Sequence, residues 1–177
     1  KWLGLLVQEK HASKFFAEEG QRKTHEVRTR QVKFLKPNDK IALIAVNPRG
    51  DKAYRKILGT LKFEGNVAIP RSSFNDFFPK HQVTMDELDK ISRGKKTWAS
   101  ETLWGWHFTV LEALQPPPLL KVSACNRCNV IWTYFSLDDI VVQNLQESSA
   151  FPFLLCSETV SSVLNWVYLC GPCSVQE

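Results

Sequence analysis

Gly20-Gln-Arg-Lys-Thr-His-Glu-Val-Arg-Thr-Arg30 is the stretch whose reading decides the fold. A glycine closes an apparent helix, two cations follow, and polar and charged side chains then alternate as along a strand. At period two, Thr24, Glu26, Arg28 and Arg30 fall on one face, and His25, Val27 and Thr29 on the other. A carboxylate between cations on a strand is costly to bury unless the charges pair or meet a ligand. This ribbon is therefore the candidate site.

Upstream, Trp2–Gln8 is a short apolar run that reads as a buried strand. A helix is expected over Lys10–Glu19, with Ala12, Phe15 and Phe16 at helical spacing and Gly20 as its stop. Downstream, Pro37-Asn-Asp39 is turn chemistry leading into Ile41–Val46, apolar on both faces and hence a central strand. A strand over Ala53–Phe63 follows, with Glu64-Gly-Asn66 expected to break it. Ser72 or Ser73 is the expected cap of a helix over Phe74–Phe78. Thr84 and Glu87 have capping-box spacing at the head of a helix reaching Ile91. Leu103–Leu114 alternates, with Trp104, Trp106, Phe108 and Val110 on one face and His107 and Thr109 on the other, until Pro116-Pro-Pro118 ends it.

Strands separated by turns more often than by crossover helices predict an α+β protein, a small mixed β-barrel with helices packed on it. The chain has 177 residues, 44% hydrophobic and 23% charged, enough for one good core or for one domain and an appendage. No run approaches the roughly 18 apolar residues of a membrane helix, so no membrane partner is expected. A chain beginning at Lys1 without methionine reads as an excised or processed fragment, so a lost targeting segment stays open. An intracellular setting, cytoplasmic or nuclear, is expected, with an organelle left open.

The net charge of +5 is unevenly spread. Residues 1–120 hold 21 Lys and Arg against 13 Asp and Glu, a balance of +8; residues 121–177 hold 2 against 5, a balance of −3. A basic body suits an anionic partner, with nucleic acid or nucleotide first. All five cysteines, Cys125, Cys128, Cys156, Cys170 and Cys173, lie beyond residue 120. Charge and cysteines together place a boundary near Pro116–Pro118: a domain over 1–120 and a cysteine-bearing extension over 121–177. An odd, clustered count does not look like a secreted disulfide framework. Cys125-Asn-Arg-Cys128 and Cys170-Gly-Pro-Cys173 are two Cys-x2-Cys knuckles that can close a structural, four-thiolate zinc site. Their spacing exceeds the usual one, and buried free thiols are the competing reading.

The order of these parts resembles an ASCH domain of the PUA-like superfamily over roughly residues 2–120. The matching pieces are the helix ending at Gly20, Lys23-Thr24-x-Glu26-x-Arg28, the turn Leu35-Lys-Pro-Asn-Asp39 before an apolar strand, and Trp104-Gly-Trp106 near the end. The family's usual Gly-x-Lys-Thr-x-Glu-x-Arg has one residue between Gly and Lys; here Gly20 and Lys23 are separated by two. The resemblance implies a PUA-like β-barrel with flanking helices and a cleft lined by this strand, binding RNA or nucleotides. It also implies an alternative, because small bacterial members hydrolyse N4-acetylcytidine with a Lys, a Thr and a Glu. Lys23 matches that lysine, but the threonine falls on Glu26 and the glutamate near Gln82, so two of three identities differ.

The expected ligand-binding set is Lys23, Thr24, Glu26 and Arg28, with Trp104 and Trp106 able to stack a base. Lys23 supplies a cation, or a base if desolvated; Glu26 accepts hydrogen bonds; Arg28 forks onto phosphate or onto Glu26; Thr24 offers a hydroxyl. Surface placement, internal ion pairing and core packing are the bland readings of the same residues. The expected function is an RNA- or nucleotide-binding module rather than an enzyme. The alternatives are an amidohydrolase acting on N4-acylated cytidines through Lys23 and Glu26, and a structural subunit docking a protein through the acidic, aromatic tail.

Overall fold

A computed structural model describes residues 1–47, 54–92, 100–121 and 131–141, with backbone only at 91 and 92. The five cysteines lie outside the described residues, and with them the zinc reading. Contacts divide the chain into two units: Lys1–Ala12, Lys40–Thr60 and Leu111 onward in the first; Ser13–Asp39 and Leu61–Val110 in the second. Eight strands are described: β1 (Trp2–Gln8), β2 (His25–Arg28), β3 (Lys40–Val46), β4 (Tyr54–Pro70), β5 (Thr102–Ala113), β6 (Leu119–Lys121), β7 (Trp132–Phe135) and β8 (Ile140–Val141). Three short helices accompany them: α1 (Glu9–Ala12), α2 (Phe78–His81) and α3 (Met85–Ser92). None of the described helices is long and apolar enough to cross a membrane.

In the first unit the strand order is β4-β3-β1-β7, with β6 between β4 and β8. β1 and β3 run parallel in the register Leu5↔Leu43, and β1 pairs antiparallel with β7 in the register Leu3↔Tyr134. Leu3, Leu5–Val7 and Ile41–Ala45 are buried without alternation, because both faces of these strands are covered. Leu6, Ala42, Ile44, Ile57, Leu114, Leu120 and Phe135 form the core. Each fully buried aliphatic or aromatic side chain contributes roughly 1.5–3 kcal/mol.

In the second unit the order is β2-β5-β4, with β2 antiparallel to β5. The strand expected to break at Glu64–Asn66 instead runs on to Pro70. Gly65 has φ +150°, a conformation costly for any side chain, and lies within the continuous strand. Asn66 then brackets the backbone of Val32, accepting from its N–H at 3.0 Å and donating to its C=O at 2.9 Å.

The early helix is shorter than its periodicity predicts. α1 ends at Ala12, and Ser13–Phe16 tightens into a 3-10 turn that seats Phe15 in the core. The segment Arg71–Phe77 is also 3-10, preceded by Pro70, with no side-chain cap from Ser72 or Ser73. α3 has the expected capping box: Glu87 N–H donates to Thr84 Oγ1, and Thr84 N–H to Glu87 Oε2, both at 3.2 Å. Val27, Ile69, Phe74, Val83, Leu88 and Leu103 form the core on one side of this sheet.

The described strands do not close in either unit, since β2 has β5 and β7 has β1 as its single strand neighbour. The architecture is thus a mixed β structure with short helices.

Candidate functional site

The register of β2 on β5 assembles the site. Glu26 lies opposite Trp106 and Arg28 opposite Trp104, while His25 lies opposite His107 and Val27 opposite Gly105. The alternation read from the two stretches separately therefore meets in space: acid, guanidinium and indoles on one face, imidazoles on the other. Phe108 N–H donates to Thr24 C=O at 2.9 Å, which extends the ladder one residue beyond β2.

Glu26 is the hub of the charged face. Its Oε2 accepts from Lys23 Nζ at 2.6 Å and its Oε1 meets Arg28 Nη2 at 2.9 Å. Lys23 is 1% exposed and Glu26 6%, while the Arg28 side chain keeps 19%. Two cations against one carboxylate give the cluster a net positive charge. In a medium of low dielectric such pairing offsets the desolvation that burial imposes.

Lys23 reaches this depth because of its surroundings. Its N–H is fixed on Lys14 C=O at 2.9 Å, and its Nζ lies 5.2 Å from the centroid of the Phe15 ring. Phe15 meets Phe108 edge-on at 6.3 Å, and Phe108 meets Phe63 at 5.5 Å, so the ammonium approaches an aromatic wall. Burial pushes the Lys23 pKa below the ordinary lysine value; the Glu26 charge and hydrogen bond oppose this, and Arg28 and Lys14 add to it.

Arg28 lies 5.7 Å from the ring of Trp106, and its Nε has no hydrogen-bond partner among the described residues. Trp106 is buried, its indole N–H donating to Arg30 C=O at 2.8 Å, whereas Trp104 is half-buried. Thr24 is half-buried, and its Oγ1 lies 2.8 Å from His25 Nδ1. Lys23, Glu26, Arg28 and Trp106 are thus brought together, with Thr24 tied to the imidazole side and Arg30 exposed.

The loop of Lys23 is tied to the α2 segment. Thr24 N–H donates to Lys80 C=O at 2.8 Å, Gln82 Nε2 to Gln21 C=O at 2.6 Å, and Lys14 Nζ to Gln82 C=O at 3.1 Å. Gln82 thus stands beside the Lys23 loop, its side-chain amide donating to Gln21 and its carbonyl accepting from Lys14. Its backbone is left-handed, at φ 54°.

Sequence reasoning missed the histidines. His25 and His107 stack with centroids 4.5 Å apart and planes 13° apart. His81 is buried against Phe74 at 4.2 Å, accepts from Val83 N–H at Nδ1 and donates from Nε2 to Phe74 C=O. Burial lowers the pKa of all three, that of His25 to about 4 with His107, Lys80 and His81 adding to the effect. The available signal was that His25 and His107 face away from the charged ribbon on strands that pair. No group of three or more potential metal ligands occurs among the described residues.

No family profile matches the sequence, and no curated protein matches it. Solved structures do. The ASCH protein of Zymomonas mobilis is 14% identical, covers 78% of this chain and 90% of its own, and superposes with a TM-score of 0.50. A tyrosine-to-phenylalanine variant of it gives 13%, 78%, 93% and 0.53, and a serine-to-alanine variant 13%, 78%, 91% and 0.53. At such identity the likeness is one of fold: the chain has the fold of an ASCH domain.

Proposed function

We propose that the chain is an RNA- or nucleotide-binding module whose recognition surface is centred on Arg28. The observation that carries this reading is the Glu26 carboxylate held between Lys23 and Arg28, leaving a net positive cluster beside Trp106. Lys23 and Glu26 are too deep to meet a ligand in this conformation, so their role is to fix the guanidinium. Arg28 and half-buried Trp104 then make the contacts: phosphate or a base edge for the first, a base face for the second; the Thr24 hydroxyl, held at His25 Nδ1, takes no part in this conformation. Exposed Arg22 and Arg30 flank them and add salt-dependent attraction.

The test is anisotropy of a labelled short single-stranded RNA at low salt. Binding that weakens steeply with salt, and is lost when Arg28→Ala and Glu26→Ala are combined in a protein still folded by circular dichroism, supports the reading. No binding at low salt, or binding indifferent to both changes, removes it.

A second reading rests on Lys23, whose burial lowers its pKa as a general base requires. With Glu26 as partner it would hydrolyse N4-acylated cytidine. Both Glu26 oxygens are engaged, and Gln82 offers no carboxylate, which is why binding ranks first. Release of cytidine from N4-acetylcytidine separates the two. A structural zinc on Cys125, Cys128, Cys170 and Cys173 belongs to the same proposal; less than about half an equivalent of zinc on the reduced, folded protein would remove it.

A further inference from the structure

The proposed site raises a question of access, since Lys23 and Glu26 are shut in behind a strand pair. β2 spans four residues and has one strand neighbour among the described residues. On the side opposite Glu26 it is held by Val27, packed in the core with Ile69, Phe74 and Leu103, and by the His25–His107 stack.

The backbone dictates that stack. Phe108 N–H bonds Thr24 C=O, so the directly opposed residues 24 and 108 form a hydrogen-bonded pair. The next pair along, His25 and His107, is then non-hydrogen-bonded, where opposed side chains come closest. Gly105 makes room for the ring: a Cβ there would stand 2.8 Å from His25 Cδ2 and 3.0 Å from Ile69 Cδ1. His25 is consequently buried at 4% exposure between Gly105, Ile69 and His107.

The charges around the pair are mostly of one sign. On its own strand, His25 contacts the Thr24 hydroxyl. From the α2 segment it feels Lys80 and His81, and from β5 His107. His107 in turn feels Lys80 and one carboxylate, Glu64 of β4, which is engaged by Thr109 Oγ1 at 2.7 Å and Lys62 Nζ at 2.9 Å. Glu26 leaves the strand on the other face, toward Lys23 and Arg28.

We infer that the His25–His107 stack is an acid-sensitive latch that holds β2 on β5 while both imidazoles are neutral and releases it when they are protonated. Two imidazolium rings cannot keep a 4.5 Å stack beside Lys80 with a single, already engaged carboxylate nearby. Release separates Glu26 from Trp106 and Arg28 from Trp104, and so uncovers the Lys23–Glu26–Arg28 cluster. That consequence for ligand access rests on the function proposed above; the latch itself does not.

The sign follows from linkage. With His25 at about 4 when closed and near the ordinary 6.5 when open, the open form binds more protons between those values. Between pH 7 and pH 5, His25 alone raises the opening equilibrium about 20-fold.

Amide hydrogen exchange on the full chain tests this, with rates corrected for their intrinsic pH dependence. From pH 7 to pH 5, the β2–β5 amides, Phe108 N–H among them, are expected to open at least 10-fold more, while the β1–β3 ladder changes less than about threefold. His25→Phe keeps a ring to stack on His107 but cannot charge, and is expected to remove most of the effect; His25→Gln serves as a second neutral variant. Equal acceleration of both ladders in the unaltered chain, or an undiminished effect in a folded variant, overturns the latch. RNA binding measured at pH 7 reports separately on the binding reading, so either can fail without the other.

Discussion

Glu26 stands 2.6 Å from Lys23, three residues back along the chain, and both side chains are buried. The spacing is not that of a regular strand: Lys23 precedes β2, and its side chain turns in toward Phe15 while Glu26 leaves the strand toward it. A buried cation and a buried anion have become one unit, with Arg28 as third member.

Removing the carboxylate should therefore cost more than removing the lysine. Glu26→Ala strands two cations, one of them fully buried, and is expected to lower unfolding free energy by about 3–5 kcal/mol. Lys23→Met fills the same aromatic niche and leaves Glu26 paired with Arg28, so its cost should be less than half as large. Urea denaturation of both variants measures the order; a reversed order would mean that Glu26 does not carry the cluster.

Gly105→Ala probes the other face. The added methyl would meet His25 Cδ2 at 2.8 Å and Ile69 Cδ1 at 3.0 Å, overpacking worth about 1–3 kcal/mol. Much of that cost should vanish in the background of His25→Ala, which withdraws the ring. A double-mutant cycle with a coupling energy under about 0.5 kcal/mol would show that the ring is not what Gly105 accommodates.

Much of this organisation was legible before any coordinates. Trp2–Gln8 emerged with the ends its apolar run implies, and the Thr84–Glu87 box lies where residue spacing put it. Both signals are local. The shared face of Glu26, Arg28, Trp104 and Trp106 was half legible: each strand's alternation was visible, but the register joining them depends on residues about 80 positions apart. The depth of Lys23 was not legible, because Phe15, the ring its ammonium lies over, packs with Phe108, and Phe108 with Phe63, from two other segments. The same holds for His25, whose partner is named only by cross-strand pairing. The continuity of β4 was not legible either: Glu64-Gly-Asn66 has the composition of a turn, and the sequence does not tell a turn glycine from one held inside a strand.

His81 should be neutral and protonated on Nε2 at pH 7. Val83 N–H points at Nδ1, so that nitrogen must carry the lone pair, and Nε2–H donates to Phe74 C=O at 3.0 Å. Its folded pKa lies below 6.5, through burial. The linked stability is therefore fully present above about pH 6.5 and is lost as pH falls through the folded value. Nitrogen-15 chemical shifts of the ring read the tautomer directly, and a pKa at or above 6.5 would refute the assignment.

Arg28→Lys separates charge from shape at the proposed recognition surface. Lysine keeps the cation but cannot form the planar fork, and its ammonium would not replace the guanidinium 5.7 Å from the Trp106 ring. If Arg28 recognises phosphate or a base edge bidentately, affinity for single-stranded RNA should fall about 10-fold or more, as one good bidentate contact implies. The dependence of log affinity on log salt should nevertheless keep its slope, because the charge count is unchanged. Arg28→Ala should both weaken binding and reduce that slope by roughly 0.7, the single-strand value for one lost phosphate contact. Full affinity with lysine would reduce Arg28 to one charge among several; an unaltered slope with alanine would place the phosphate contact elsewhere, on Arg22 or Arg30.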